Sequence, residues 1–312
     1  VSLRKEVVPK HKSKILILHG LNKKTNRMAL NYSIGPIKIK PDYCNIESFS
    51  KTSTQLYSFN ITLFNSKMLT NSFLKSLGHS PLSYCASQVY PKSKFWFVKP
   101  EYGTCGKGII ITTDPQKYIG GNTVIEESIN MPLIRKRRWD LRIYVYHTLD
   151  INGNFKTYLF KNGIVRLCPD EFNSNDVNKR NMCTNTSLYT GSDLNNNLNY
   201  CMTKLPNYEN IFRNLKCLIK QVHDITITKC KPIKYFFLET HLLGYDIIFS
   251  EDNKAYIIEI NCYPHYITKN NTPEVVNMKK NLVQDIYTII KDYYLKTSNS
   301  NNFILVSEDN IV

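Results

Sequence analysis

Acidic residues are scarce in this chain. Its 312 residues include 25 Asp and Glu against 41 Lys and Arg, a formal net charge of +16. Such an excess disfavours basic partners and favours polyanions: nucleic acid, a membrane surface or an acidic polypeptide tail. Long apolar runs are missing too. None approaches the roughly 20 residues that a membrane-spanning helix needs, so no membrane association is expected. Residues 1–14 are basic without an apolar stretch, which predicts no secretory signal. The nine cysteines are odd in number and form no CxxC pair. That argues against a disulfide framework or zinc cluster and for a reducing compartment, the cytoplasm. The seven histidines show no HExxH spacing, so the zinc-hydrolase pattern is excluded. No Walker A loop occurs. No nucleic-acid-binding module is recognisable, so nucleic acid is not an expected partner despite the charge.

What is present is the composition of a globular protein, 42% hydrophobic and 21% charged. The length suits two or three lobes. Ile15 to Leu18 reads as a short strand, and residues 20–60 are irregular. Asn65 to Leu77 has Met68, Leu69, Phe73 and Leu77 at helical spacing. Short β-rich runs follow at Phe95–Lys99, Gly108–Thr113, Thr123–Glu127, Leu141–Thr148, Phe155–Phe160 and Ile164–Leu167. Residues 170–200 are polar and Asn-rich, a long loop by composition. Asn210–Asp224 is an amphipathic helix. Leu242–Phe249 and Ala255–Ile260 form a hairpin. Thr272 and Pro273 look like the N-cap and first turn of a helix running to about Tyr294. Residues 296–312 are expected to fray. The expected lobes are 1–64, 65–130 and 131–312.

Three segments carry chemistry. Glu101-Tyr102-Gly103-Thr104-Cys105-Gly106-Lys107-Gly108 lies between two strands. Its glycines let backbone N–H groups approach an anion, and Lys99 and Lys107 add positive charge. An ordinary tight turn would read the same way. In the hairpin, Glu259 and Asn261 point to one face, and Asp246 falls opposite Ile258 or Glu259. Three oxygen-bearing side chains on apolar strands need something to satisfy them. Hard oxygen ligands of this kind suit Mg²⁺ beside phosphates. Finally, Arg142 and Arg166 each sit within apolar β-sequence, where a guanidinium makes an anion clamp for phosphate or carboxylate.

Asp140-Leu141-Arg142-Ile143-Tyr144-Val145 resembles the FDLRxYV signature of the tubulin tyrosine ligase-like family. Tyr158 to Arg166 resembles its YLYxEGxVR stretch, and Thr184-Asn185-Thr186-Ser187 its LTNxS motif. Leu243-Gly244-Tyr245-Asp246 and Ile258 to Pro264 resemble LxGFD and LEVNxxP. The five occur in family order across roughly residues 65 to 290. The resemblance implies an α/β (α+β) ATP-grasp fold, with mixed or antiparallel sheets, flanking helices and a nucleotide cleft between the central and C-terminal lobes.

It also implies roles. Lys67 and Lys99 correspond to ATP-phosphate lysines, and Gly106 and Gly108 to the phosphate loop. Glu126, Glu127, Ser128 and Ile129 correspond to the linker that cups adenine. Arg138, Asp140, Arg142, Arg166 and Asn185 line the nucleotide and acceptor region, with Arg142, Arg166 and Glu259 taking catalytic roles. Asp246, Glu259 and Asn261 match the magnesium ligands. Three positions depart from the family: Glu126-Glu127 replaces Gln-Lys, His241 stands where Glu is expected, and Met182-Cys183 opens the HLTN motif.

The function implied is an ATP- and Mg²⁺-dependent ligase. It would add glutamate, tyrosine or glycine to a carboxylate of an acidic, tubulin-like tail through an acylphosphate, with association with microtubules. DLRIYV and TNxS lean toward the glutamylating branch. The alternative is a catalytically silent binder of microtubules or other acidic polypeptides.

Overall fold

A computed structural model describes residues 67–75, 77–81, 83–84, 95–102, 106–119, 121–150, 152–185, 188, 198–228, 238–262, 264, 271–299 and 301–310. The expected strand at 15–18, the lobe at 1–64 and the motif residues Gly103, Thr186, Ser187 and Tyr263 lie outside the described residues.

Among the described residues, helix α1 (Lys67–Lys75) comes first and buries Phe73 and Leu74. Four short strands follow: β1 (Ser83–Tyr84), β2 (Trp96–Pro100), β3 (Ile110–Thr112) and β4 (Thr123–Glu127). They form one antiparallel sheet in the order β1-β4-β2-β3. Trp96, Val98 and Ile125 make its small core.

The second sheet is larger. Strands β5 (Trp139–Asp150) and β6 (Asn154–Leu167) pair antiparallel. Helix α2 (Lys179–Met182) and strand β7 (Asn199–Cys201) precede helix α3 (Tyr208–Ile227). The hairpin β8 (Leu238–Phe249) and β9 (Ala255–Asn261) leads into helix α4 (Pro273–Leu295) and strand β10 (Phe303–Asn310). The sheet order is β10-β6-β5-β8-β9, with β7 also on β6.

Strand alternation explains why this sheet carries two cores. Leu141, Ile143 and Val145 face one way and meet Phe212, Leu215, Ile219 and Val222 of α3. Tyr144, Tyr146 and Ile164 face the other way and meet Val275, Met278, Leu282 and Ile286 of α4. With helices on both faces, β5 is buried nearly throughout, polar positions included. Each fully buried Leu or Ile there contributes ~1.5–3 kcal/mol, so most of the stability resides in this layer. Thr272 accepts a hydrogen bond from the Val275 N–H and Pro273 occupies the first turn of α4, as their sequence predicts.

Three expectations change. The two strands at 155–160 and 164–167 are one strand, β6. A bulge carries it past the turn-like Asn162-Gly163: Ile143 pairs with Gly163 but Val145 pairs with Leu159. The polar stretch 170–200 contains α2 and most of β7. Its asparagines supply a cap: Asn178 accepts from the Arg180 and Asn181 N–H groups, and Asn181 accepts from the Asn178 N–H. Residues 303–310, expected to fray, pair with the free edge of β6. Phe303 anchors them against Phe160 and Tyr146 at 5.1 and 5.9 Å, and Asp309 accepts from buried His223 at 2.6 Å.

The two sheets are tied where the site forms. His79 engages the Ala255 carbonyl at 2.8 Å and accepts the Ile257 N–H at 2.8 Å. Glu251 donates its N–H to the Asn130 carbonyl at 3.2 Å.

Candidate active site

The four-stranded sheet and the ends of β5, β6, β8 and β9 enclose an open cleft of about 930 Å³, mouth included.

On the first wall, β2 places Lys99 beside Glu126 of the paired β4, because Phe97 opposes Glu126 and Val98 opposes Ile125 in the register. Lys99 and Glu126 form a buried ion pair, and Asn71 donates to the other Glu126 oxygen at 3.0 Å. Burial pulls the Lys99 ammonium down, but Glu126 outweighs it and holds the proton more firmly than usual. Lys67, at the start of α1, is shifted the other way: burial lowers it, Glu259 opposes and Lys99 adds to the fall.

Gly106 lines the cleft with a φ of +69°. A Cβ there would lie 2.6 Å from the Asn185 side chain, so only glycine lets the loop close onto Asn185. Gly108 does not line the cleft; it packs on Pro100. Glu127 and Ile129 reach the cleft and Ser128 does not, donating instead to the Phe95 carbonyl at 2.9 Å.

The second wall is a network of ions. Arg166 donates to both oxygens of Asp140 at 2.6 Å and reaches Asp246 at 2.9 Å. Arg142 donates through Nε and Nη2 to the two oxygens of Asp246, the second at 2.8 Å. Thr184 donates to Asp140. Asn261 sits 3.5 Å from Asp246 and 3.5 Å from the Gly244 carbonyl. Burial alone would raise the Asp246 carboxyl, but the two guanidiniums prevail and hold it at about 2. Gly244 makes room for this: a Cβ there would be 3.1 Å from the Arg142 side chain and 2.9 Å from Pro264. Arg142 and Asn261 therefore stand behind Asp246 instead of lining the cleft. Arg138 lines it, donating to the Ile129 carbonyl at 3.1 Å.

Glu259 is the unsatisfied member. It lies directly across the hairpin from Asp246, lines the cleft, and makes no hydrogen bond or ion pair among the described residues. Burial, and then Asp246, raise its proton affinity; Lys67, Arg142 and Lys99 oppose. A partly buried carboxylate without a donor, beside a second carboxylate and an amide, is a donor set that fits a hard divalent cation. Asp246 already accepts from both arginines, so it would share its remaining lone-pair capacity.

Two contributors escaped the sequence reading. Thr184 holds Asp140; its place before Asn185 was the available signal. Lys279, buried on α4 behind the cleft, feels the charges of Arg142 and Arg166, and its signal was a lysine at helical spacing from Val275, Leu282 and Val283.

Two antiparallel sheets with flanking helices, closing over a cleft with lysines and a glycine loop on one wall and paired carboxylates on the other, define an α+β protein with an ATP-grasp-like fold. The chain belongs to the tubulin-tyrosine ligase family, whose family model matches residues 42–301.

Among curated relatives it is similar to the "Probable alpha-tubulin polyglutamylase Ttll1" of Tetrahymena thermophila, 27% identical over 229 residues, 62% of this chain and 54% of the relative. It is 28% identical over 218 residues to the human "Probable tubulin polyglutamylase TTLL2", covering 64% of this chain and 36% of the relative. It is 24% identical over 217 residues to "Tubulin glycylase 3F" of Tetrahymena thermophila, covering 59% of this chain and 23% of the relative. The chain spans about half or less of the length of these relatives. No described helix is long and apolar enough to cross a membrane.

Proposed function

We propose that this chain is a ligase that uses ATP to join an amino acid to a carboxylate of an acidic protein tail, with tubulin as the first candidate acceptor and the cytoplasm as its setting. The observation that carries the reading is the hairpin pair Asp246 and Glu259, set in one cleft with Lys67, Lys99 and Arg166.

In this reading the acceptor carboxylate attacks the γ-phosphorus of ATP and ADP leaves, giving an acylphosphate. The amine of the amino acid then attacks the acyl carbon, loses a proton and releases phosphate, leaving an amide bond. Lys67 and Lys99 orient phosphate oxygens and offset their charge. Arg166 and Arg142 hold Asp246 ionised, and Arg166, which lines the cleft, can offer a remaining donor to an anion. Asp246 and Glu259, which line the cleft, would hold Mg²⁺, with Asn261 behind Asp246 as the third expected ligand, and the ion would neutralise charge on the phosphates.

The names of the relatives support protein–amino acid ligation on tubulin, by glutamylation or glycylation. The test is incubation of the protein with ATP, a panel of labelled amino acids and tubulin. Incorporation of one amino acid supports the reading, and none under any combination overturns it.

One observation favours a catalytically silent binder of acidic tails: Glu126 already neutralises Lys99. Retained ATP affinity in the protein, with Glu126→Gln raising it, would count against that alternative.

A further inference from the structure

A chain of polar side chains crosses the core between β6, α3 and β10. Thr157, fully buried on β6, shares its hydroxyl with His147 Nδ1 at 2.8 Å and with His223 Nδ1 at 2.7 Å. His223 belongs to α3 and is also fully buried, its ring stacked on Phe155 at 5.1 Å. Its second nitrogen, Nε2, faces Oδ2 of Asp309 on β10 at 2.6 Å. The next residue of α3, Asp224, is exposed and brings a second carboxylate to the same point. One ligand atom from each of His223, Asp224 and Asp309 lies within 4.8 Å of the other two. Among the described residues this is the one such grouping of His, Cys, Asp or Glu.

A hydrogen bond accounts for His223 and Asp309 as a pair. The convergence of Asp224 on the same nitrogen goes beyond it, in a chain with 25 acidic residues against 41 basic ones. The setting of His223 is that of a metal-binding histidine. Metal-bound histidines donate their other ring N–H to a fixed acceptor, which sets the tautomer and aims the ring. Thr157 provides that acceptor, because a hydroxyl can take the Nδ1 proton of His223 while donating its own to His147. The Nε2 lone pair is then directed at the two carboxylates.

We propose that His223, Asp224 and Asp309 form a binding site for a divalent cation of the zinc class, which fastens the C-terminal strand β10 to helix α3. One imidazole nitrogen and two carboxylates suit zinc with a water in the fourth position, whereas magnesium and calcium favour oxygen ligands throughout. Ligands about 2.1 Å from a tetrahedral ion stand roughly 3.4 Å apart. His223 and Asp309 therefore separate by less than about 1 Å as the ion replaces the shared proton, and the exposed Asp224 side chain rotates in. The site is independent of the ligase reading. Along β6, residue 157 is roughly 30 Å from residue 166 at the cleft. The ligands on α3 and β10 are 86 positions apart, so no sequence spacing announces them.

The experiment is equilibrium titration of the full 312-residue chain, stripped of metal and kept reduced, with Zn²⁺ in the presence of excess Mg²⁺. It is run on wild type, Asp224→Asn, Asp309→Asn and Glu259→Gln. Melting curves with and without Zn²⁺ accompany each titration, and Co²⁺ serves as a spectroscopic substitute. Asp224 is exposed, so its exchange leaves the metal-free fold intact. Asp309→Asn keeps an acceptor for His223.

The expected result is a zinc site in wild type whose occupancy raises the melting temperature. Its affinity should fall at least tenfold in Asp224→Asn and in Asp309→Asn, and stay within about threefold of wild type in Glu259→Gln. Bound Co²⁺ should show no thiolate charge-transfer absorption. Wild type that binds no zinc at micromolar concentration overturns the proposal, as does unchanged affinity in either aspartate variant. Loss in Glu259→Gln alone would place the ion in the cleft, and thiolate absorption would place it on cysteine; either overturns the site.

Discussion

Asp246 and Glu259 face each other across the β8–β9 hairpin, yet their surroundings drive them apart. Asp246 is locked by two guanidiniums and held at about 2. Glu259 has no donor among the described residues and is pushed upward by burial and by Asp246. The register shift beside this pair, where Asp246 opposes Glu259 but Ile247 opposes Ile257, brings both carboxylates to one side.

Glu259→Gln separates chemistry from architecture. The exchange is nearly isosteric and removes a charge that burial disfavours, so stability should hold or rise slightly. Ligase turnover should fall by orders of magnitude, because charge neutralisation at the phosphates is lost. Labelled amino acid incorporation and acidic-peptide affinity, measured on the same sample, decide it. Wild-type turnover in the variant would remove Glu259 from the metal site.

Arg166 is the centre of the ion network. Arg166→Met leaves Asp140 without its bidentate partner and takes one of two guanidiniums from Asp246. Breaking a buried pair this way costs about 3–5 kcal/mol. Arg166→Lys keeps the charge but not the fork, and should lose less. Denaturant unfolding gives both numbers; equal stability of all three proteins would show that the network is solvated.

Lys279 gives a pH signature. Its folded value is about 8 against 10.5 for the ordinary lysine. Between these values the unfolded chain binds a proton that the folded chain has released, so this residue makes stability rise with pH across that window. The full span is worth roughly 3 kcal/mol. Lys279→Met should therefore be most advantaged near pH 7, with the difference from wild type shrinking toward pH 10. A difference that does not vary with pH would mean Lys279 titrates normally.

Strand β10 should be structural. Phe303→Ala removes the ring that packs on Phe160 and Tyr146 and should destabilise by about 3 kcal/mol. Hydrogen exchange at Ile304 and Leu305 reports whether the strand is held. Fast exchange in wild type would return residues 303–310 to a frayed tail.

The net charge of +16 sets the fifth expectation, about recognition. Affinity for an acidic tail should fall steeply as salt rises from 0.01 M, where screening acts over roughly 30 Å, to physiological strength, where it acts over about 8 Å. Salt-independent affinity would show that recognition is not electrostatic.

Much of this protein was legible in its residues. The hairpin partners of Asp246, the strands at 95–99 and 123–127, and the cap at Thr272-Pro273 follow from period-two alternation and local capping chemistry, which act over a few residues. The five motifs pointed to the family for the same reason: each is a short stretch whose chemistry is complete in itself.

Other features depended on residues far apart in sequence, and only the tertiary structure decided them. Residues 303–310 are apolar in their first half and polar in their second, and what orders them is the open edge of β6, more than 130 positions earlier. Glu126 reads as a linker residue until the β2–β4 register sets it against Lys99. Lys279 reads as a solvated helix lysine until α4 packs on the sheet and buries it, and burial and the charges of Arg142 and Arg166 then lower its ammonium. Local sequence sets periodicity and caps. Which buried charges meet depends on how sheets and helices pack, because an ion pair in a low-dielectric interior is specified by the position of both partners.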